Sequence, residues 1–254
     1  ALPPGGVLVV GSAQSGCQIA EDLLAAGRRV YLSVSRVARA PRRYRGRDVL
    51  DWLDGVGFLD VRPADLPDPA MRFAAQPQVS GVGPRGRTVG LQDLAARGVA
   101  LVGRITGVAG STVTLDDSVA DCIRFGDAGS GQIRQLIDGF ITRTGMTPPP
   151  LEEDPADDPC PDPDAIAGPR ALDLDASGIA AIVWCTGFDA DFSWIRLPVT
   201  DDRGVPIHPD GVSPVPGLVF LGFPWLRTRR SGVISGIDPD AAVIADAVAA
   251  HLSR

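Results

Sequence analysis

The sequence predicts an α/β protein built on a Rossmann-like parallel sheet. Three observations carry that expectation: an unbroken apolar run, Val7 to Val10, leads straight into Gly11-Ser12-Ala13-Gln14-Ser15-Gly16; strand-like and helix-like stretches alternate after it; and thirty glycines and twenty-three prolines supply the turns between them. With 254 residues, 44% of them hydrophobic, there is material for one large or two modest cores.

Each residue of the first turn has a physical job. Gly11 takes a tight turn that a side chain would obstruct, and Gly16 lets the following helix, expected from Gln14 to Ala26, lie close against the strand. The helix then directs free N–H groups and its positive dipole end at a pyrophosphate, so residues 11–16 form a candidate dinucleotide site made of backbone. Ala13 stands where such turns usually carry their middle glycine, which weakens the match; an ordinary strand-to-helix turn is the alternative.

The second strand, Arg29 to Val34, indicates which nucleotide to expect. An NAD site offers an acid near the end of this strand for the ribose hydroxyls, whereas an NADP site replaces it with donors for the 2′-phosphate. Here the strand runs out through Ser33-Val34-Ser35-Arg36 without an acid. Ser35 can donate one hydrogen bond and the Arg36 guanidinium two, which favours NADPH; a solvated strand-end charge is the alternative for Arg36. Arg36, Arg39, Arg42, Arg43, Arg45 and Arg47 crowd into twelve residues with only Tyr44 to stack between them. Phosphate contact by one or two of them, Arg36 and Arg43, fits better than a nucleic-acid stripe, the others being solvated or paired with acids elsewhere.

Further along, Asp48 to Gly55 has a helical pattern, 60–88 reads as an irregular surface excursion, and Leu91 to Arg97 is a helix stopped by Gly98. Val99 to Val102 is a strand, Ile105 to Val108 and Thr112 to Leu115 form a hairpin, and Ile133 to Thr144 has helical spacing. Residues 148–164 hold seven prolines and seven acids and read as a linker or loop too charged to bury. Ile179 to Trp184 reads as a buried strand, Leu218 to Leu221 as an apolar run ending at Gly222, and Asp240 to Leu252 as a final helix.

Composition narrows the function classes. All twenty-four basic residues are arginine, yet the net charge is −7 and the pI about 4.8, which argues against general attraction to nucleic acid or an anionic membrane. Cys17, Cys122, Cys160 and Cys185 form no Cys-x-x-Cys, which argues against a disulfide framework, a zinc site and a redox dithiol. Cys17 falls in the first turn of the helix, where a thiolate would be favoured, although packing as a small apolar side chain is the plainer expectation. His208 and His251 are expected to be structural, and no signal peptide or membrane span is evident, so a cytoplasmic protein without membrane or nucleic-acid partners is expected.

Taken together, Val7 to Gly16, the loop Ala40-Pro41-Arg42-Arg43-Tyr44-Arg45-Gly46-Arg47-Asp48, Gly98 to Arg104, Val183 to Phe188 and Val215 to Gly222 resemble the flavin-dependent monooxygenase-like flavoproteins. That broad group holds flavin-containing monooxygenases, Baeyer–Villiger enzymes and bacterial flavoprotein oxidoreductases found beside cation-efflux genes. Trp184-Cys185-Thr186-Gly187 is similar to the group's Ala-Thr-Gly element, with Cys185 replacing alanine. The resemblance implies that Cys185, Thr186, Gly187 and Gly222 lie where the backbone passes close to bound nucleotides. It also implies that residues 1–187 form an NADPH-binding domain, and that 188–254 are a return segment normally completing a FAD-binding domain. Pro239 departs from the group's pattern, and a helix-start role would account for it.

The group's first glycine fingerprint, which binds FAD, has no counterpart here. The chain is therefore expected to bind NADPH while depending for FAD on a missing N-terminal domain of roughly 150 to 200 residues or on a separate chain. The implied activity is that of a monooxygenase in which NADPH reduces FAD and a flavin hydroperoxide oxygenates a small substrate. No catalytic residue and no metal ligand is assigned. The rivals are a flavin-free NADPH-binding or interaction module and, more distantly, a relative of the pyridine-nucleotide disulfide reductases, which would need a redox cysteine pair.

Overall fold

A computed structural model of the chain describes residues 2–74, 76–81, 87–166 and 168–253. In chain order the strands and α-helices are β1 (Gly6–Val10), α1 (Gln14–Ala25), β2 (Val30–Ser33), β3 (Arg43–Tyr44), β4 (Arg47–Asp48), α2 (Val49–Gly55), α3 (Leu91–Ala96), β5 (Ala100–Val102), β6 (Ile105–Ala109), β7 (Thr112–Leu115), α4 (Val119–Thr144), β8 (Ala171–Asp173), β9 (Ile179–Trp184) and α5 (Ile234–Leu252). The chain divides into two units, Ala1–Trp52 with Ala75–Gly187, and Leu53–Ala74 with Phe188–Arg254.

The first unit is α/β and Rossmann-like. Its parallel sheet has the order β5-β2-β1-β9, with Val7 opposite Val30 on one side of β1 and Val10 opposite Trp184 on the other. Because side chains alternate along a strand, β1 feeds two cores. Val7 and Val9 pack with Cys17 and Ala20 of α1, Leu91 and Leu94 of α3, and Val119 and Ile123 of α4. Leu8 and Val10 face the other way, onto Val113, Leu115 and Leu172 of the antiparallel β6-β7-β8 sheet. Burial on both faces explains the continuous apolar run at the start of the sequence.

The helix expected from Ile133 begins at Val119; Gly126 and Gly129, which weakened the sequence signal, lie where the helix approaches 37–39, and a β-carbon at Gly129 would stand 2.8 Å from the Ala38 Cβ. Ile179 to Trp184 is an edge strand rather than a buried one, with Ile182 39% and Trp184 65% exposed. Residues 148–164 form a largely exposed loop, with one exception to the expectation: Asp157 is buried, and that residue and Asp154, which accepts from the Thr88 hydroxyl at 2.5 Å, fasten the loop within the first unit. Part of the expected 60–88 excursion, residues 75 and 82–86, lies outside the described residues. The rest divides between the units, with short 3-10 turns at Phe58–Asp60, Pro63–Asp65 and Pro69–Phe73 in the second.

Asp116, between β7 and α4, ties three segments together. It accepts from the Arg104 N–H at 2.8 Å, the Ser118 N–H at 3.1 Å, the Ser118 hydroxyl at 2.5 Å and the Arg104 guanidinium at 3.2 Å. Burial alone would raise its pKa, but the Ser118 and Arg104 donors outweigh it and hold the carboxyl at about 2. A depressed carboxyl contributes stability above its unfolded pKa and loses it as pH falls through the folded one. Asp116→Asn should thus reduce the slope of stability against pH between about 4 and about 2, measured by urea melts across that range. An unchanged slope would count against this reading; Asp117, Asp191 and Asp201 are also depressed, so some slope should persist.

The second unit has α5, short turns and a small core of Val199, Phe220 and Leu226. Arg230 joins its two sequence segments by ion pairs to Asp54 (2.6 Å) and Asp60 (2.8 Å). The apolar run 218–221 contributes a single bridge, Val212 to Val219, instead of a strand. Helix α5 starts at Ile234, before the expected Asp240, and contains Pro239 in its interior. His208 stacks on Phe223, 5.3 Å between ring centres, in a packing role. Among the described residues, no helix is long and apolar enough to cross a membrane.

Candidate functional site

The turn from Gly11 to Gly16 leaves the C-terminal end of β1, where the strand order reverses between β2 and β9. Ligands of open parallel sheets bind in the crevice at such a switch point. Gly11 has φ of +101°, and a β-carbon there would stand 2.5 Å from the Cys185 carbonyl oxygen. A β-carbon at Gly16 would overlap the Gly11 carbonyl oxygen, so strand, turn and helix can approach this closely only with glycine at both positions.

The turn is fixed on three sides. Towards β2, the Gly11 N–H donates to the Ser33 carbonyl at 2.9 Å, the Ser12 N–H to Ser35 Oγ at 3.1 Å, and the Ser35 N–H to Ser12 Oγ at 2.8 Å. Towards β9, the Cys185 N–H donates to the Val10 carbonyl at 2.8 Å. On the third side lie residues 78–81. Gln14 Oε1 accepts from the Val79 N–H at 2.9 Å, Gln14 Nε2 and Gln18 Nε2 donate to the Ser80 carbonyl, and Gln78 Nε2 donates to the Ser12 carbonyl. Gln18, Gln78 and Ser80 were not legible as site residues, because nothing in their local sequence marks them.

Helix α1 is capped by Ala13, whose side chain accepts nothing, so the orphan N–H groups of its first turn receive no side-chain cap. An uncapped helix N-terminus beside a glycine turn can accept an anion. Ser15 belongs to this first turn.

Arg36 follows β2. Its guanidinium lies 4.1 Å from the centre of the Phe125 ring, is exposed, and has no ion pair among the described residues. It lines a depression of about 490 Å³ with Arg104, Ser118, Asp121, Arg124 and Phe125. Arg104 and Arg124 there are engaged with Asp116 and Asp121, at 3.2 and 3.1 Å. Most of the arginine run is committed elsewhere: Arg39 to Asp127 (2.8 Å) and Asp157 (3.0 Å), Arg42 to Asp48, and Arg45 to Asp138. Arg43 sits on the β3–β4 ribbon, donates to the Gly46 carbonyl at 2.7 Å, and lies 3.8 Å from Glu152, without a contact to the turn. Thr186 and Gly187 are exposed beyond β9, while Gly222 belongs to the second unit.

Two thiols flank the turn. Burial, with a contribution from nearby Cys185, pushes the Cys17 thiol up to about 12 despite a hydrogen bond from Gln78, and burial also raises Cys185. Burial therefore outweighs the helix N-terminus at Cys17, which packs as an apolar side chain. In the folded protein Cys17 should resist iodoacetamide at mildly alkaline pH while the half-buried Cys160 reacts, as read by peptide mass spectrometry. Comparable modification of the two would contradict this.

No family model matches the chain. The chain is 28% identical over 252 residues to a Geobacillus kaustophilus protein named uncharacterized oxidoreductase CzcO-like, covering 98% of this chain and 54% of that protein. It is 45% identical over 64 residues to the uncharacterized oxidoreductase CzcO of Bacillus subtilis, 25% of this chain and 19% of that protein. The Bacillus velezensis protein of the same name is 42% identical over 64 residues. These relatives are named as oxidoreductases. The chain spans about half the length of the Geobacillus relative and a smaller share of the two Bacillus proteins.

Proposed function

We propose that the first unit is the NADPH-binding part of a FAD-dependent oxidoreductase, of the monooxygenase type. In this reading the pyrophosphate sits over the uncapped N-terminus of α1, and the adenosine 2′-phosphate lies in the depression lined by Arg36. The observation that carries it is the pairing of those two anion-attracting features on one sheet, with Arg36 exposed, unpaired by carboxylates among the described residues and held against Phe125. Ser35 supports the turn through Ser12 rather than offering a free hydroxyl, so Arg36 is the main discriminating donor, Arg104 and Arg124 beside it being paired with Asp116, Asp121 and Asp164.

NADPH supplies a hydride from its nicotinamide ring. The work of this chain is to hold the dinucleotide by its phosphates and leave that ring beyond β1 and β9, near Cys185, Thr186 and Gly187. Cys185 and Thr186 are assigned no proton-transfer role. These 254 residues carry one strand-turn-helix fingerprint, which this reading gives to NADPH rather than to FAD. The similarity to proteins named as oxidoreductases supports the reaction class.

A second reading, a flavin-free NADPH-binding or interaction module, draws on the same glycine turn and the same exposed Arg36. Titrating the chain with NADPH and NADH tests the shared core of both readings: NADPH should bind more tightly. Equal binding of the two would remove the 2′-phosphate site. Flavin extracted from the full-length native gene product, together with NADPH-dependent oxygen uptake, would separate the oxidoreductase from the module.

A further inference from the structure

We infer that Gln78 is a positioning residue that turns the Ala13 N–H outward, making it the first donor of the phosphate turn. This inference rests on the NADPH reading above and concerns a residue outside the fingerprint. Its basis is an accounting of the turn's peptide groups. The Gly11 N–H is taken by the Ser33 carbonyl, the Ser12 N–H by Ser35 Oγ, and the Cys17 N–H begins the helix by donating to the Ala13 carbonyl at 3.1 Å. Among the described residues, the N–H groups of Ala13, Gln14, Ser15 and Gly16 are those left for an anion.

The direction of the first is set from behind. The Ser12 carbonyl accepts from Gln78 Nε2 and from the Cys17 thiol at 3.3 Å, both buried. No peptide bond among the described residues is cis, and in a planar trans peptide the C=O and the next N–H point in opposite directions. Holding the Ser12 carbonyl inward therefore aims the Ala13 N–H outward, over the start of α1. Gln78 can hold it because its own backbone is anchored: its N–H donates to the Ala38 carbonyl at 2.8 Å, and its carbonyl accepts from the Ala40 N–H at 2.7 Å. The buried side chain of Gln78 also reaches Cys17 Sγ at 3.2 Å, which keeps the carboxamide beside the peptide it orients. Preorganisation of this kind lets the turn meet a phosphate without first fixing a mobile peptide.

Two variants of the full chain test the inference. Gln78→Met keeps the length of the side chain and removes the donor to Ser12. Ala13→Pro removes the N–H itself at a residue whose φ of −71° already suits proline, and leaves Gln78 untouched. Each should weaken NADPH binding by about tenfold, the worth of one hydrogen bond to a charged group, while binding of adenosine 2′-monophosphate stays within about twofold. That nucleotide has no phosphate to place at the turn, so damage to the fold at large would weaken both ligands together. NADPH affinity unchanged in Ala13→Pro, or equal losses for the two ligands in a folded Gln78→Met protein, would overturn the role of Gln78 and leave the NADPH reading standing. Failure of the unaltered chain to bind NADPH would overturn both.

Discussion

Replacing Asp157 by alanine is expected to cost about 3 to 5 kcal/mol of folding stability, the range for removing one partner of a buried charge network. Asp157 Oδ1 accepts from Arg39 Nε at 3.0 Å and from the Ser130 hydroxyl at 2.6 Å, and Oδ2 accepts from Arg134 Nε at 2.8 Å. Its side chain is wholly buried and that of Arg39 is 2% exposed, so alanine would leave Arg39 with Asp127 as its remaining carboxylate and Ser130 without its acceptor. Because net stabilities are only about 5 to 15 kcal/mol, the loss would be a large part of the total. Equilibrium urea unfolding should show a lower midpoint with a similar denaturant slope. A change below about 1 kcal/mol would mean that the pairs behave as surface ion pairs, contrary to their burial.

Arg36→Ala should have the largest effect on binding. Removing the discriminating guanidinium is expected to weaken NADPH by roughly 10- to 100-fold, equivalent to about 1.5 to 3 kcal/mol for hydrogen bonds to a charged group, with NADH affinity nearly unchanged. Arg36→Lys should recover part of the loss, since a point charge replaces the fork. The same comparison at rising salt should narrow the gap between the two cofactors in the unaltered protein, because Arg36 is solvent-exposed. An unchanged NADPH-to-NADH ratio in Arg36→Ala would leave Arg36 as a surface cation resting on Phe125.

The parts of the fold legible in the sequence were those decided by neighbours along the chain. The Val7–Val10 run, its glycine turn and the first helix form one local unit, and the hairpin around Gly110 is another. What escaped was decided by distant partners. The beginning of α4 contains Gly126, Gly129 and Gly131, poor helix formers, and at least Gly129 is there because Ala38 comes too close for a side chain. Asp154 and Asp157 looked solvated because their partners, Thr88, Arg39 and Arg134, lie far away in sequence. Ile182 and Trp184 are apolar, so β9 looked buried, yet an exposed apolar side chain is ordinary on a protein surface. The site divides in the same way: residues 11–16 announce themselves, whereas Gln78 does not, since its partner is a carbonyl sixty-six residues earlier.

The exposed end of β9 gives the molecule an optical property. Of the four tryptophans, Trp52 and Trp225 are buried beneath arginine guanidinium groups and Trp194 is 73% exposed in the second unit, whereas Trp184 is 65% exposed opposite Val10, beside the residue that opens the glycine turn. Its indole should emit as a solvated fluorophore that acrylamide quenches readily, while Trp52 stays shielded. Reduced nicotinamide absorbs in the region where indole emits, so a dinucleotide lying across the turn would drain this emission without any attached dye.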